Sequence, residues 1–71
     1  MSTITCAARD SGPVFDVTGR KYEWLSPVAI RDAVVFTVGD VGYAEVDLPE
    51  YGDGVSALFY AGEFARHFRK Q

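Results

Sequence analysis

The stretch that decides the fold is residues 34–48, VVFTVGDVGYAEVDL, near the middle of a chain of 71 residues. Residues 34–38 are a β-branched and aromatic run, which is typical of a strand. Residues 39–42 contain two glycines and form a loop short enough to connect antiparallel strands. Residues 43–48 then alternate between polar and apolar side chains, with the period of two that is typical of a half-buried strand. The stretch therefore predicts a β-hairpin.

The returning strand of this hairpin has two different faces, because successive side chains of a strand point to opposite sides. Acidic residues two positions apart lie about 6.6–6.8 Å from each other along such a strand. We expect one face to be exposed and the other to meet the core: Tyr43, Glu45 and Asp47 on the first, and Ala44, Val46 and Leu48 on the second.

The N-terminal part of the chain predicts two further strands. Residues 3–8 alternate with a period of two, and residues 14–18 form a second β-branched run. In the second run, Phe15 and Val17 are expected to face inward. Since residues 9–13 are rich in turn-forming types, the two strands are expected to pair as an N-terminal hairpin.

Two helices are predicted on either side of the central hairpin. Ser26 and Pro27 are the residue types favoured at the N-cap and the first helical position, so they predict a short helix that ends near Ala33. Residues 55–69 predict a longer helix, with Asp53 or the glycine after it as the cap. Its apolar residues recur at spacings of three and four, as in a core-facing stripe: Leu58, Ala61, Phe64, Ala65 and Phe68.

These elements predict a single α+β domain over residues 1–71. Their order is ββαββα, which corresponds to a small antiparallel sheet with the helices packed on one face. A chain of this length buries only about 60% of the surface that its unfolded form exposes. The core is therefore expected to be small.

Composition narrows the classes of protein. The single cysteine excludes an intrachain disulfide and a Cys-rich zinc site. No apolar run approaches the roughly 20 residues that span a bilayer. The first residues lack the basic and apolar regions of a signal peptide. We therefore expect a cytoplasmic protein with no membrane partner.

Neither His67 nor Cys6 stands in a catalytic motif. His67 follows Glu63 at the i,i+4 spacing of a helical ion pair, which favours a structural histidine. Cys6 lies on the apolar face of a predicted strand, where cysteine behaves as a small hydrophobe. The acids lack the spacing of a calcium loop. We expect no enzymatic activity, no cofactor and no metal.

The distribution of charge is the strongest functional signal. Residues 32–65 contain seven acidic side chains and no Lys or Arg, whereas the net charge of the chain is only −3. The basic cluster at residues 66–70 complements the C-terminus of the predicted helix, so direct nucleic-acid binding is not expected. The acidic stretch is either a solvated surface or a binding surface that imitates a phosphate backbone. The candidate partner-binding residues are Asp40, Tyr43, Glu45, Asp47, Glu50, Tyr51 and Asp53.

A small, acidic, single-domain chain of this kind resembles the inhibitors made by phages and mobile elements, above all the anti-CRISPR group. The resemblance covers the general character of the whole chain and implies a non-enzymatic inhibitor. Some members of that group use clustered carboxylates as a DNA mimic to occupy the DNA-binding, PAM-recognition surface of a CRISPR surveillance complex. The expected partner is then a nucleic-acid-binding protein complex of the host, and the chain a monomer or weak homodimer.

The sequence leaves one alternative function open. An interaction module, such as an antitoxin-like or phage accessory protein, would dimerise through a sheet edge or exposed aromatic residues. Salt dependence distinguishes the two functions, since charge-driven association weakens with ionic strength.

Overall fold

The computed structural model describes residues 2–9, 11–24 and 29–70. This part of the chain forms seven strands, one α-helix and one short 3-10 helix. In chain order they are β1 (Ser2–Ala8), β2 (Gly12–Phe15), β3 (Lys21–Trp24), β4 (Ala29–Val38), β5 (Val41–Asp47), the 3-10 helix (Pro49–Tyr51), β6 (Ser56–Tyr60), α1 (Ala61–His67) and β7 (Phe68–Lys70).

The predicted α+β fold with a ββαββα order is wrong, because the described residues are mostly β-structure. Residues 29–33 belong to β4 rather than to a helix, and the predicted helix start at Ser26 and Pro27 lies outside the described residues. Residues 56–60 form β6, so the predicted second helix is reduced to Ala61–His67. In both places, pairing with neighbouring strands outweighs a local helical pattern.

Five strands form one antiparallel sheet in the order β6-β5-β4-β1-β7. The central hairpin of β4 and β5 is confirmed, and its register places Val38 opposite Val41. The predicted N-terminal hairpin is wrong, because β1 pairs with β4 and β7. Strand β2 instead pairs with β3 in a separate two-stranded sheet.

The five-stranded sheet is strongly curled. Strands β6 and β7 are its two edges, and in a flat sheet they would lie roughly 19 Å apart, four strand spacings. Nevertheless, the rings of Phe59 on β6 and Phe68 on β7 have centroids 5.2 Å apart. Helix α1 joins the two edge strands directly, and its seven residues span only about 10 Å. The sheet therefore has a concave side and a convex side.

The core fills the concave side. Strand β5 contributes Ala44 and Val46, and Leu48 follows it, so the predicted inward face of this strand is confirmed. The two-stranded sheet covers the open end of the concave side with aromatic rings. The ring centroids of Tyr22 and Phe59 are 6.3 Å apart, and those of Trp24 and Phe68 are 5.6 Å apart. Helix α1 approaches the sheet closely at Gly42, where an added Cβ would lie 3.1 Å from that of Ala61.

The prediction that Phe15 faces inward is wrong. Its side chain is 54% exposed, whereas its neighbour Val14 is buried in the core cluster. The register of the two-stranded sheet explains the difference, because Val14 pairs with the core residue Tyr22 and Phe15 pairs with the exposed Lys21. A single shift in register exchanges the two faces of a strand.

Asp16 organises the turn between β2 and β3. Its Oδ1 atom accepts hydrogen bonds from the backbone N–H groups of Thr18 and Arg20, both at 2.9 Å, and from the Thr18 hydroxyl at 2.6 Å. Partial burial of the carboxylate opposes its ionisation, but these hydrogen bonds outweigh that effect and lower the pKa of Asp16. The next residue, Val17, donates its backbone N–H to the Leu58 carbonyl oxygen at 2.9 Å and so attaches the turn to β6.

Phe59 and Tyr60 are consecutive but lie on opposite sides of β6, which gives a matched pair of variants. Phe59→Ala should lower the free energy of unfolding by about 3–5 kcal/mol, because it opens a cavity in the core. Tyr60→Ala should lower it by only about 1 kcal/mol, the contribution of a cross-strand pair. Chemical denaturation measures both, and Phe59→Leu provides a milder core variant. Equal losses at the two positions would contradict the strand assignment.

Asp16→Ala should lower the free energy of unfolding by about 1–2 kcal/mol above about pH 5, because it removes a carboxylate that satisfies three donors. A lowered pKa stabilises the fold only above the ordinary pKa of about 3.8. The difference between parent and variant should therefore shrink as the pH falls below that value. Denaturation curves between about pH 7 and pH 3 measure this dependence. The control is Asp53→Ala in an exposed turn, which should change stability little at pH 7.

Candidate protein interface

Three aromatic side chains form a row across the convex side of the sheet. The rings of Phe36 and Tyr43 have centroids 5.7 Å apart with an interplanar angle of 26°, and those of Tyr43 and Tyr60 are 5.5 Å apart at 29°. Both pairs are stacked. We call Phe36, Tyr43 and Tyr60 the ring row.

Strand register places the three rings side by side. The turn after β4 contains Gly39 with a φ of 62°, a conformation that glycine adopts without strain. This tight turn puts Phe36 directly opposite Tyr43, and the pairing of β5 with β6 puts Tyr43 opposite Tyr60. Cross-strand neighbours of this kind have Cβ atoms about 4.5–5.5 Å apart, which allows their rings to stack.

Further apolar side chains extend the ring row towards the β4–β5 turn. Val38 is 61% exposed and Val41 43%, and they lie opposite each other on the same side of the sheet. Tyr60, on the edge strand, is 49% exposed. These side chains form a contiguous apolar surface on a rigid sheet, and such surfaces commonly mark interaction sites.

Three carboxylates lie on the same face of the sheet, beyond the ring row and away from the β4–β5 turn. We call them the acidic end: Asp32, Glu45 and Asp47. Glu45 is opposite Val34 and Leu58 and is exposed, and Asp47 is half-buried opposite Ser56. The carboxylate of Asp32 accepts a hydrogen bond from the Thr5 hydroxyl at 2.7 Å.

Among the side chains that the structure describes, which do not include that of Arg31, none forms an ion pair with the acidic end. The carboxylates in ion pairs among these side chains are those of Glu23 and Glu63. Neither residue belongs to the acidic end.

The structure separates the predicted partner-binding residues into two groups. Tyr43, Glu45 and Asp47 share the convex side, and Asp40 lies in the turn at its apolar end. The remaining three residues lie outside the strands: Glu50 and Tyr51 in the 3-10 helix, and Asp53 in the turn that follows it.

Tyr51 packs against the two-stranded sheet of β2 and β3. Its ring meets that of Tyr22 edge to face at 5.3 Å, and its hydroxyl donates to the Glu23 carbonyl oxygen at 2.8 Å. Its position near the two-stranded sheet removes it from the convex side. Asp53 precedes a strand rather than a helix, so its predicted capping role is wrong.

Phe36, Tyr60 and Asp32 also belong to this surface, although the sequence pattern does not indicate them. The pattern predicts helices at residues 32 and 60, whereas both residues lie on strands of the sheet. The loop predicted at residues 39–42 would place Val38 opposite Tyr43, whereas the observed two-residue turn at residues 39–40 places Phe36 there. For Tyr60, the glycines before residues 56–60 mark a turn that could lead into a third strand.

His67 makes a local contact on helix α1. Its Nε2 atom is 3.2 Å from Glu63 Oε2, which confirms the predicted i,i+4 contact. A cavity of about 210 Å³ is lined by His67, Ser11 and residues 12–14. The hydrogen bond that the structure gives the His67 side chain at this cavity is the one to Glu63.

Cys6 is fully buried in the core. Burial raises the pKa of its thiol to about 11, and the charge of Asp32 adds to the effect. Among residues 2–9, 11–24 and 29–70, no group of three His, Cys, Asp or Glu side chains is placed to hold a metal ion. No helix in the described ranges has the length and apolar character needed to cross a membrane.

Comparison with known proteins yields no match to a family model, a curated protein or a solved structure.

The Cys6 thiol should react slowly with iodoacetamide in the folded protein, because the thiolate is the reactive form and a pKa of about 11 makes it scarce near neutral pH. Mass spectrometry should detect rapid labelling only after the addition of denaturant. Labelling of the native protein as fast as that of an unfolded control would contradict a buried, protonated thiol.

Proposed function

We propose that this protein is a non-enzymatic binding protein whose ring row and acidic end dock onto a basic, nucleic-acid-binding surface of another protein. The observation that carries the proposal is a row of stacked rings, half-buried at Phe36 and Tyr43 and exposed at Tyr60, beside three carboxylates on the same sheet. Rings would supply the apolar anchor of the interface, and the carboxylates would select a cationic partner.

The ring row supports an interface more strongly than a solvated surface. A solvated sheet face carries polar side chains in alternation, whereas this one exposes Val38, Val41 and Tyr60. Aromatic side chains are enriched in protein interfaces, where they provide large contact areas at low entropic cost. Because the rings are stacked on three adjacent strands, little conformational freedom remains to be lost on binding.

The acidic end supports a basic partner. Its three carboxylates lack ion-pair partners among the described side chains, so a cationic surface would gain attraction without breaking an ion pair described there. Complementary charge accelerates encounter and makes association sensitive to salt. Surfaces that bind nucleic acid present clustered Lys and Arg and therefore have the complementary charge.

Charge also argues against symmetric self-association through this surface. A two-fold dimer uses the same patch on both subunits, and the ring row and acidic end contain no Lys or Arg that could pair with Glu45 and Asp47. The basic residues Arg69 and Lys70 lie on β7, at the other edge of the curled sheet. The dimeric interaction module is therefore the second candidate, favoured only by the exposed apolar side chains.

The resemblance to anti-CRISPR inhibitors agrees with this type of interface and names one class of partner, the CRISPR surveillance complex. An inhibitor of that class would act in the cytoplasm of the host cell. The structure modifies the mechanism expected from charge alone, because aromatic residues rather than carboxylates occupy the centre of the surface.

Glu45→Lys with Asp47→Lys tests the proposal against a matched control, Glu50→Lys with Asp53→Lys. Each double variant adds four charges, two per substitution, and changes the net charge from −3 to +1. Only the first pair lies on the convex side. The first variant should lose about tenfold or more in affinity for the partner, and the control should bind like the parent protein.

Affinity capture from a host lysate, with each of the three proteins as bait, measures this difference. The expected result is a nucleic-acid-binding protein that the parent and the control retain, the first variant loses, and high salt releases. Circular dichroism would establish that all three proteins are folded. A partner retained equally by both double variants would contradict the proposal, and a salt-insensitive dimer in sedimentation would favour the second candidate.

A further inference from the structure

We infer that the surface occupied by this protein is a binding site for single-stranded rather than double-stranded nucleic acid. The inference rests on the proposed function and specifies the class of partner. It follows from the arrangement of the ring row relative to the acidic end.

The ring row has the geometry of a short stack. Three aromatic rings follow one another at 5.7 and 5.5 Å, each tilted by less than 30° from the next. Because the rings stack on one another, they present their rims outward and only the ends of the stack offer an open ring face. An unpaired nucleic-acid strand also presents successive rings whose π-faces stack on aromatic side chains.

The carboxylates lie along one side of this stack. Glu45 follows Tyr43 by two residues on β5, and Asp47 follows by four, so they lie about 7 and 13 Å from the ring row along the strand. Asp32 precedes Phe36 by four residues on the antiparallel neighbour β4 and lies in the same direction. Rings on one side and anions on the other are the two features of a single strand that proteins recognise.

A duplex does not present this combination. Its bases are paired in the interior, and its surface consists of phosphates with base edges in the grooves. A protein surface built for a duplex would meet the carboxylates of the acidic end but would have no counterpart for the ring row. Sites for single strands combine a basic groove with aromatic platforms, so they can accommodate both.

Tyr60 is the end of the stack through which contact is expected. It lies on an edge strand and is 49% exposed, so the side of its ring away from Tyr43 is not covered by another strand of the sheet. An aromatic platform of the partner would continue the stack there. Strand addition does not explain the contact equally well, since Val17 already occupies the Leu58 carbonyl oxygen on this edge.

Competitive elution tests the inference on the partner retained by the bait. The two competitors are an oligothymidylate of about twenty nucleotides, longer than the roughly 4–16 nucleotides bound per single-strand domain, and a duplex of equal length. We expect the single strand to release the partner at a concentration at least about tenfold lower than the duplex does. Release by the duplex at an equal or lower concentration would overturn the inference.

A second measurement tests the ring rather than the charge. Tyr60→Leu keeps an apolar side chain but removes the π-face, and should weaken partner binding by about fivefold to a hundredfold, the range expected for one base-stacking contact. Tyr60→Phe keeps the ring and should bind like the parent. Equal binding by the Leu and Phe variants would show that the ring is dispensable and would also overturn the inference.

The outcomes separate this inference from the proposed function. If the duplex releases the partner, or if neither nucleic acid does, the site is not one for single strands, although a charge-dependent protein interface remains. If no retained protein depends on Glu45 and Asp47, both proposals fail.

Discussion

The contact between Phe59 and Phe68 is the constraint on which the rest of the structure depends. These rings come from the two edges of the five-stranded sheet, and their approach to 5.2 Å requires the sheet to curl. Curling creates a concave side that a chain of 71 residues can fill, with Tyr22 and Trp24 covering the opening. So small a chain cannot also cover the convex side. The partial exposure of the ring row is thus a consequence of how the core is closed.

The sequence predicted the parts of the fold that local patterns determine. The hairpin of β4 and β5 follows from its alternation and its glycine-containing loop. The pairing of the two strands is confirmed, but the turn spans residues 39–40 rather than the predicted 39–42. Residues 56–60 were assigned to a helix because Leu58, Ala61 and later apolar residues also fit a helical stripe. The helical spacing of three and four and the strand period of two both fit these residues, and pairing with β5 favours the strand. The partners of β1 are distant in sequence, so no local pattern could have identified them.

The same distinction applies to the candidate interface. That Tyr43, Glu45 and Asp47 share one side follows from the alternation of a single strand, and the structure places them there. Recognising the ring row requires the register of three strands, which the sequence did not provide. The packing of Tyr51 against Tyr22 is likewise a tertiary contact. The candidate interface is therefore not a line of carboxylates alone. It combines the aromatic ring row with the carboxylates of the acidic end.

The hydrogen bond from Val17 to Leu58 has a consequence for the behaviour of the protein at high concentration. A strand edge beside an exposed aromatic surface is a template on which other chains can add strands and grow into fibres. The turn after β2 occupies one of the outward carbonyl groups of β6 and so interrupts that template at its middle residue. This one hydrogen bond therefore protects the edge of β6 against strand addition, while the ring row beside it stays open to solvent.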